Sequence, residues 1–278
     1  MSRSLSYIPR DAAVCLQPMR ICICEFPDEE ARKEGAWKAL VQHATSTTPD
    51  LVVLPEMPFC QWIFTGDHVD ASQWQDALRG HEASIARFHE LSCRWIASSR
   101  PIETDVGRYN EAFVWSPDMG YQSVRRKWYL PDAPIARETL WFTQGDRNFT
   151  STPFGPVRLG FQLCSEMMFP EHSRELGWSG AHLIVQPRAT GASKRWRVAS
   201  EMSAIASGAY VISANRRSYD RNWFSGESWI LSPEAVRLAE TSPEQPFATV
   251  TIDPLVAEHA KQTYPRDLQR MYLRISVS

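Results

Sequence analysis

The chain has no excess of either charge: 30 Lys and Arg stand against 32 Asp and Glu, a net charge of -2. It therefore carries no electrostatic footprint for nucleic acid or an anionic membrane. No uninterrupted apolar run is long enough to cross a bilayer. Residues 1–19 lack the apolar stretch of a secretory leader. These absences predict a soluble, cytoplasmic protein. Six cysteines (Cys15, Cys22, Cys24, Cys60, Cys93 and Cys164) contain no Cys-x-x-Cys pair, which argues against a zinc ribbon or a thioredoxin-like motif. Cys22 and Cys24 alternate in a strand-like run, as buried free thiols do in a reducing compartment. The histidines lack His-Glu-x-x-His spacing, so neither metal nor cofactor is expected. No repeat and no Gly/Ser/Pro-rich linker divides the chain. Residues 19–262 are read as one domain, with residues 1–18 as an extension and 263–278 as a tail, apolar and Arg-bearing, that is expected to serve as an oligomer contact.

What is present is enough core, 43% hydrophobic residues in a chain of 278. Residues 20–26 read as a short apolar strand. Residues 28–45 begin acidic and carry Ala31, Trp37, Leu40, Val41 and Ala44 at helical spacing. Residues 51–54 form a buried strand stopped by Pro55. Strand, helix and strand in this order predict parallel pairing through a crossover helix. A second helix is expected over 72–92 and a third strand over 94–98. Residues 111–115 and 122–127 make a hairpin around Ser116-Pro117-Asp118-Met119-Gly120, which is turn chemistry. Residues 128–146, with Pro131, Pro134 and Gly145, read as a long loop, and such loops are often functional. Strands over 157–163, 182–186 and 210–215 alternate with helices over 170–177 and 194–207. Three more strands follow, over 228–231, 236–240 and 247–252. The pattern is α/β, with sheets covered by helices.

Three words stand out: Leu54-Pro55-Glu56, Arg125-Arg126-Lys127 and Gly160-Phe161-Gln162-Leu163-Cys164. Each brings a reactive side chain to the end of an apolar run. A thiol needs a base, and the anion it creates needs a positive charge. Taken singly, Glu56 and Lys127 read as solvated charges and Cys164 as a core thiol. Their order and spacing carry the signal.

In these words the chain resembles the nitrilase superfamily of carbon–nitrogen hydrolases. The resemblance spans nearly all of residues 20–260. It rests on Asp50-Leu51-Val52-Val53-Leu54-Pro55-Glu56, on Arg126-Lys127-Trp128-Tyr129-Leu130 followed by Glu138 and Phe142-x-x-Gly145, and on Cys164-Ser165-Glu166-Met167-Met168-Phe169-Pro170-Glu171. Later matches include Gly180-Ala181-His182-Leu183-Ile184-Val185-Gln186-Pro187 and Phe224-Ser225-Gly226-Glu227-Ser228-Trp229-Ile230. The resemblance implies a four-layer α-β-β-α sandwich of two mixed sheets, usually paired into dimers or larger homo-oligomers. It also implies Glu56 as base, Lys127 as anion holder, Cys164 as nucleophile and Glu138 as a second glutamate orienting the lysine or the substrate. A helix starting near Pro170 is expected to favour the Cys164 thiolate.

The branch is less marked. Ser165 and Glu166 follow the nucleophile, where many amidases carry Arg or Tyr and then Asp. Nitrile-cleaving members resemble Cys-Trp-Glu-His, and here neither the Trp nor the His is present. An Asp-Arg-Arg run like that of carbamoyl-amino-acid hydrolases is absent. The expected activity is an amidase releasing ammonia from a small carboxamide through a thioester. The alternatives are a nitrilase, a carbamoyl-compound hydrolase, and a non-catalytic binding protein of the same fold. An unrelated Cys–His hydrolase using His172 or His182 would leave Glu56 and Lys127 unexplained. Phe59, Trp62, Trp128, Tyr129, Ser165 and Met167 are candidates for lining the pocket. Arg188, just past a strand end, is read either as an anchor for a substrate carboxylate or as an ion-pair partner of Glu166 or Glu171.

Overall fold

The computed structural model describes residues 16–134 and 136–268. In chain order, β1 (Met19–Pro27), α1 (Glu30–Thr47), β2 (Leu51–Glu56), α2 (Ala71–Ile85), β3 (Trp95–Thr104), β4 (Gly107–Ser116) and β5 (Gly120–Arg126) build the first half. A small hairpin, β6 (Asp132–Ala133) and β7 (Ala136–Arg137), leads into one helical turn, α3 (Glu138–Trp141). The second half holds β8 (Thr152–Phe154), β9 (Val157–Phe161), α4 (Pro170–Trp178), β10 (Leu183–Arg188), α5 (Lys194–Ser207) and β11 (Tyr210–Arg217). It closes with β12 (Trp229–Leu231), β13 (Arg237–Glu240), β14 (Phe247–Ile252) and α6 (Pro254–Ala260).

Side-chain alternation along the central strands explains the layering. In β1, Ile21 and Ile23 enter an apolar core between two sheets, while Cys22 and Cys24 enter a second core beneath α1. In β10 and β11, Leu183, Val185 and Ile212 face the same middle core, while Ile184 and Val211 face a third core beneath α4 and α5. Strands covered on both faces read as continuous apolar runs, as residues 51–54 do. One sheet runs β5-β4-β3-β2-β1 with β14 on the far side of β1; the other carries β8-β9-β10-β11 with β12 and β13. They join where Glu25, Phe26 and Pro27 pair in parallel with Asn215, Arg216 and Arg217. The result is the expected α-β-β-α sandwich.

Several boundaries differ from the sequence reading. Asp70 caps α2 by accepting from Ser72 N (2.8 Å) and Gln73 N (3.1 Å). That helix ends at Ile85, because the chain bends to bury Phe88 and Leu91. The third strand is twice as long as expected: β3 and β4 extend past the core as a hairpin whose outer half carries Glu103 and Arg108. Charge there hides the strand signal. Loop 128–146 contains the β6–β7 hairpin and α3, held by Arg137 N donating to Phe64 O (2.7 Å) and Glu138 N to Pro131 O (3.0 Å). Among the described residues, no helix is long and apolar enough to cross a membrane. Residues 1–15 of the expected extension and 269–278 of the expected tail lie outside the described residues. Within the tail, Arg266 is buried and donates to Ala260 O (2.9 Å) and Ile205 O (3.2 Å), and it pairs with Glu234.

Candidate active site

Glu56 is the last residue of β2 and is fully buried. Pro55 cannot donate to the ladder, and the β2–β3 register slips between Val53 and Glu56. Met57 then takes a left-handed backbone, φ 43°. Arg216 clamps this turn, donating to Glu56 O (3.3 Å), Met57 O and Cys60 O (2.5 Å). Lys127 follows β5 directly. Its N–H donates to Asn110 O and its carbonyl accepts from Gly145 N, both at 2.8 Å. A Cβ on Gly145 would stand 2.5 Å from Arg126 atoms, so this close approach requires glycine.

The two strand ends meet through their side chains. Lys127 Nζ donates to Glu56 Oε1 and to both oxygens of Glu138, each at 2.8 Å. Asn110 Nδ2 donates to the same Glu56 Oε1, at 2.8 Å. Glu56 Oε2 is buried and has no partner. Cys164 opens a 3-10 turn (Cys164–Met168) beyond β9, also with a left-handed backbone, φ 48°. Non-glycine residues in that region carry strain, which concentrates at functional sites. Glu166 holds the turn in place. Its carboxylate accepts from Leu163 N (2.8 Å), Trp128 N (2.7 Å) and both terminal nitrogens of Arg125.

Charges weigh on each other here. Burial pushes the Cys164 thiol well above its usual range; the Glu56 carboxylate raises it further, Lys127 lowers it, and the Ala189 N–H lowers it slightly. This corrects the expectation of a thiolate favoured by the start of α4: burial and carboxylate charge win. Burial alone would also pull the Lys127 ammonium down, but Glu138 and Glu56 more than offset this and hold it above the ordinary lysine value. Burial pushes Glu138 up to about 7, with Lys127 opposing and Glu56 reinforcing.

The other candidates scatter. Phe59 packs among Phe26, Trp37, Phe88 and His81 on the helix side of the first sheet. Trp62 meets Phe64 and Phe224 edge to face. Met167 lies in the core beneath α4 and α5. Ser165 Oγ donates to Tyr129 O (2.6 Å). Tyr129 stacks on Phe169 at 3.7 Å and its hydroxyl meets His172 Nε2 at 2.9 Å. Trp128 packs partly buried against that same core. Arg188 pairs with neither Glu166 nor Glu171, contrary to the ion-pair alternative, because Arg125 already occupies Glu166. It donates instead to Ser213 Oγ (2.6 Å), Thr190 Oγ1 (2.7 Å) and Glu227 O (2.7 Å), 3.7 Å over the Trp229 ring.

Sequence reading missed Asn110, Arg125 and Arg216. A strand read from Gly107 would have shown Asn110 as a polar residue within it. Arg216 stands one residue before the end of the apolar strand β11, much as Glu56 stands at the end of β2. A cavity of about 670 Å³ is lined by Phe59, Cys60, Trp62 and Trp141, and none of Glu56, Lys127 or Cys164 reaches it. A groove of about 560 Å³ opens instead beside Arg188 and Trp229.

The family profile described as carbon-nitrogen hydrolase matches residues 15–262. The chain belongs to that family. Its members act on carbon–nitrogen bonds as hydrolases, and so does this protein. This carbon–nitrogen hydrolase is 28% identical over 224 residues to a nitrilase of Pyrococcus abyssi (strain GE5 / Orsay), across 78% of this chain and 80% of that protein. It is 24% identical over 255 residues to an N-carbamoylputrescine amidase of Oryza sativa subsp. japonica, across 83% of this chain and 81% of that one. In fold it is similar to the crystal structure of a carbon-nitrogen hydrolase from Helicobacter pylori G27. The TM-score is 0.80 at 22% identity, covering 90% of this chain and 94% of that one.

Proposed function

We propose that this carbon–nitrogen hydrolase is an amidase that releases ammonia from a small carboxamide through a thioester on Cys164. One observation carries the reading: Glu56 has one oxygen held by Lys127 and Asn110 and the other buried without a partner, and Glu56 is the charge that weighs most on Cys164. A carboxylate so arranged is a base waiting for a proton.

The chemistry follows from those positions. Glu56 Oε2 takes the thiol proton as the sulfur attacks the carbonyl carbon. The tetrahedral oxyanion is held by the Lys127 ammonium and by the first backbone N–H after Cys164. Glu56 returns the proton to the nitrogen, the carbon–nitrogen bond breaks and ammonia leaves. Water, deprotonated by Glu56, then attacks the thioester, and the acid departs as the thiol is restored. Because the thiol is held above its usual range, proton transfer and attack proceed together rather than from a stored thiolate.

The test is ammonia release from matched amides, nitriles and carbamoyl compounds, with Cys164→Ala as control. Turnover of the amide alone supports the reading. Conversion of a nitrile without its amide overturns it in favour of a nitrilase, the activity named for the Pyrococcus relative. Failure of every substrate with folded protein overturns hydrolysis of these classes altogether. The proposal includes a homodimer or larger homo-oligomer. Exposed Trp178, Val198 and Met202 on α4 and α5 support a self-complementary apolar face. A monomer mass by light scattering at micromolar concentration would refute that part.

A further inference from the structure

Between the second sheet and helices α4 and α5, the core changes character as it nears the nucleophile. Farther away it is apolar, with Leu176, Ile184, Ala204 and Val211. Close to Cys164 it holds five polar, fully buried side chains: Gln162 just past β9, Gln186 in β10, Ser173 on α4, and Ser200 and Ser203 on α5. Such groups cost free energy in a dry core unless each is bonded. Here each is. Gln162 Nε2 donates to Ser173 Oγ (3.0 Å) and to Glu166 O (3.5 Å). Gln162 Oε1 accepts from Gln186 Nε2 (3.0 Å) and Ser203 Oγ (3.1 Å). Gln186 Nε2 also donates to Ser203 Oγ (3.2 Å), and Gln186 Oε1 accepts from Ser200 Oγ (2.6 Å). Ser173 Oγ donates to Ser203 Oγ (2.9 Å). Every amide and hydroxyl hydrogen thus has an acceptor. Turning the Gln162 amide over would set its oxygen against the Glu166 carbonyl. A network closed in this way rigidifies a core and specifies one arrangement of it.

The network meets the nucleophile through Gln162, which stands two residues before Cys164. Its backbone N–H donates to Val185 O (3.1 Å), so main chain and side chain both tie it to β10. Its amide reaches Glu166 O inside the turn that Cys164 opens. The Glu166 carboxylate secures the same turn from the other side, through Leu163 N and Trp128 N. Cys164 itself has a left-handed backbone, φ 48°, which persists only where the surroundings hold it. We propose that Gln162, seated by Gln186 and the three serines, is a positioning residue for the Cys164 nucleophile, through which α4 and α5 set the place of the sulfur. This rests on Cys164 as nucleophile and not on an amide as its substrate.

The experiment uses the full-length protein. It reads propionamide hydrolysis, the rate at which iodoacetamide alkylates Cys164 (located by peptide mass), and urea unfolding. Gln162→Met keeps the length of the side chain and removes the amide. It should lower kcat by about 10–100-fold, the effect of a small displacement of a reacting atom. KM should stay within about 2-fold, because no substrate contact is lost. Alkylation of Cys164 should slow by about 10-fold, since the thiol is no longer set against its base. Leu176→Ala weakens the apolar part of the same core. It should cost at least as much stability, with kcat and alkylation within about 2-fold of wild type. The decisive variant replaces the whole network: Gln162→Met, Gln186→Met, Ser173→Ala, Ser200→Ala and Ser203→Ala together. With both partners of each bond removed, no orphan remains and stability should return toward wild type, while kcat and alkylation stay low. Recovery of both rates along with stability overturns the proposal and makes the network a packing feature alone. Should that variant fail to fold, Gln162→Met against Leu176→Ala decides, and equal rates in the two overturn the proposal. If wild type turns over no propionamide, alkylation carries the test: a Gln162→Met rate equal to wild type overturns the positioning role, and a slower one upholds it apart from the amidase reading.

Discussion

Arg125 and Lys127 stand two residues apart at the end of β5, both buried, and both bound to carboxylates from distant parts of the chain. Their surroundings differ in one respect. Arg125 meets a single carboxylate, Glu166, and both oxygens of that group are occupied by guanidinium and backbone donors. The Phe149 ring closes the guanidinium's face at 4.2 Å. Charge cancels and every Glu166 oxygen is bonded. Lys127 meets two carboxyl groups, Glu56 and Glu138, so acids outnumber the base, and one Glu56 oxygen remains unpartnered. A closed buried pair acts as a rivet. An unclosed one has a proton acceptor to offer, and unsatisfied buried groups are retained where chemistry uses them.

Breaking each side should therefore give opposite phenotypes. On the Lys127 side, Cys164→Ala should abolish ammonia release, and Glu56→Gln should lower kcat by roughly 10²–10⁴-fold, the range for a lost general base. Circular dichroism and thermal midpoint should stay near wild type. A covalent adduct trapped on Cys60 in place of Cys164 would sink the assignment. On the Arg125 side, Arg125→Met leaves Glu166 charged, buried and half-bonded. Such a break costs about 3–5 kcal/mol, which lowers the midpoint by roughly 2–4 °C per kcal/mol for a domain of this size. Urea unfolding reads the difference. A stable Arg125→Met protein would erase the contrast.

The sequence exposed one side of this contrast and hid the other. Glu56 ends the apolar strand β2 and Cys164 lies just beyond the apolar strand β9, a pattern visible in one dimension; Lys127 instead follows β5, which is mostly polar and half exposed, so its apolar-run reading was wrong and the resemblance carried it. Glu138 came through resemblance, since nothing local in loop 128–146 marks it; its place depends on Phe64 O receiving Arg137 N across the fold. Nothing local marked Arg125, because its acid, Glu166, lies 41 residues away. The sheet order was readable where strands are covered on both faces, as in β1 and β10. It failed in the outer β3–β4 hairpin, where solvent-facing charge removes the alternation. Pocket residues were least legible: adjacency to a catalytic word placed Phe59 and Met167 near the chemistry, but the turns that follow β2 and β9 fold both into core.

Glu138 sharpens the comparison through pH. In the folded protein it holds its proton up to about pH 7, against 4.5 as the ordinary value. Between those values the folded state carries more protons than the unfolded chain, so stability falls as pH rises. The contribution is fully present below 4.5 and lost once pH passes about 7. The shift corresponds to roughly 3 kcal/mol. Glu138→Gln cannot titrate, so the wild-type-minus-variant stability difference should decline across pH 4.5–7 and flatten above. Urea titrations at four pH values measure it. Because Glu138 also raises the Cys164 thiol, the variant should alkylate faster with iodoacetamide at a given pH. A pH-independent difference would remove Glu138 from the titrating cluster.

Asn110 tests the comparison at its finest point, the choice between the two oxygens of Glu56. Asn110 Nδ2 and Lys127 Nζ both donate to Oε1, and Asn110 O also receives the Lys127 N–H. One residue thus fixes the carboxylate and the backbone of the lysine. Replacing it by Leu removes the first bond and keeps the second, since the second uses only main chain. Glu56 can then rotate, Lys127 can reach Oε2, and the base oxygen becomes occupied as the Glu166 oxygens are. A hydrogen bond to a charged group contributes about 1.5–3 kcal/mol, so kcat should fall roughly 10–100-fold. KM should hold, because Asn110 binds no substrate in this arrangement. Asn110→Asp should fall further, since a third carboxylate would raise the thiol still more. If Asn110→Leu instead raises KM with kcat unchanged, Asn110 acts on substrate and the single free oxygen of Glu56 is not what distinguishes the Lys127 cluster from the Arg125 pair.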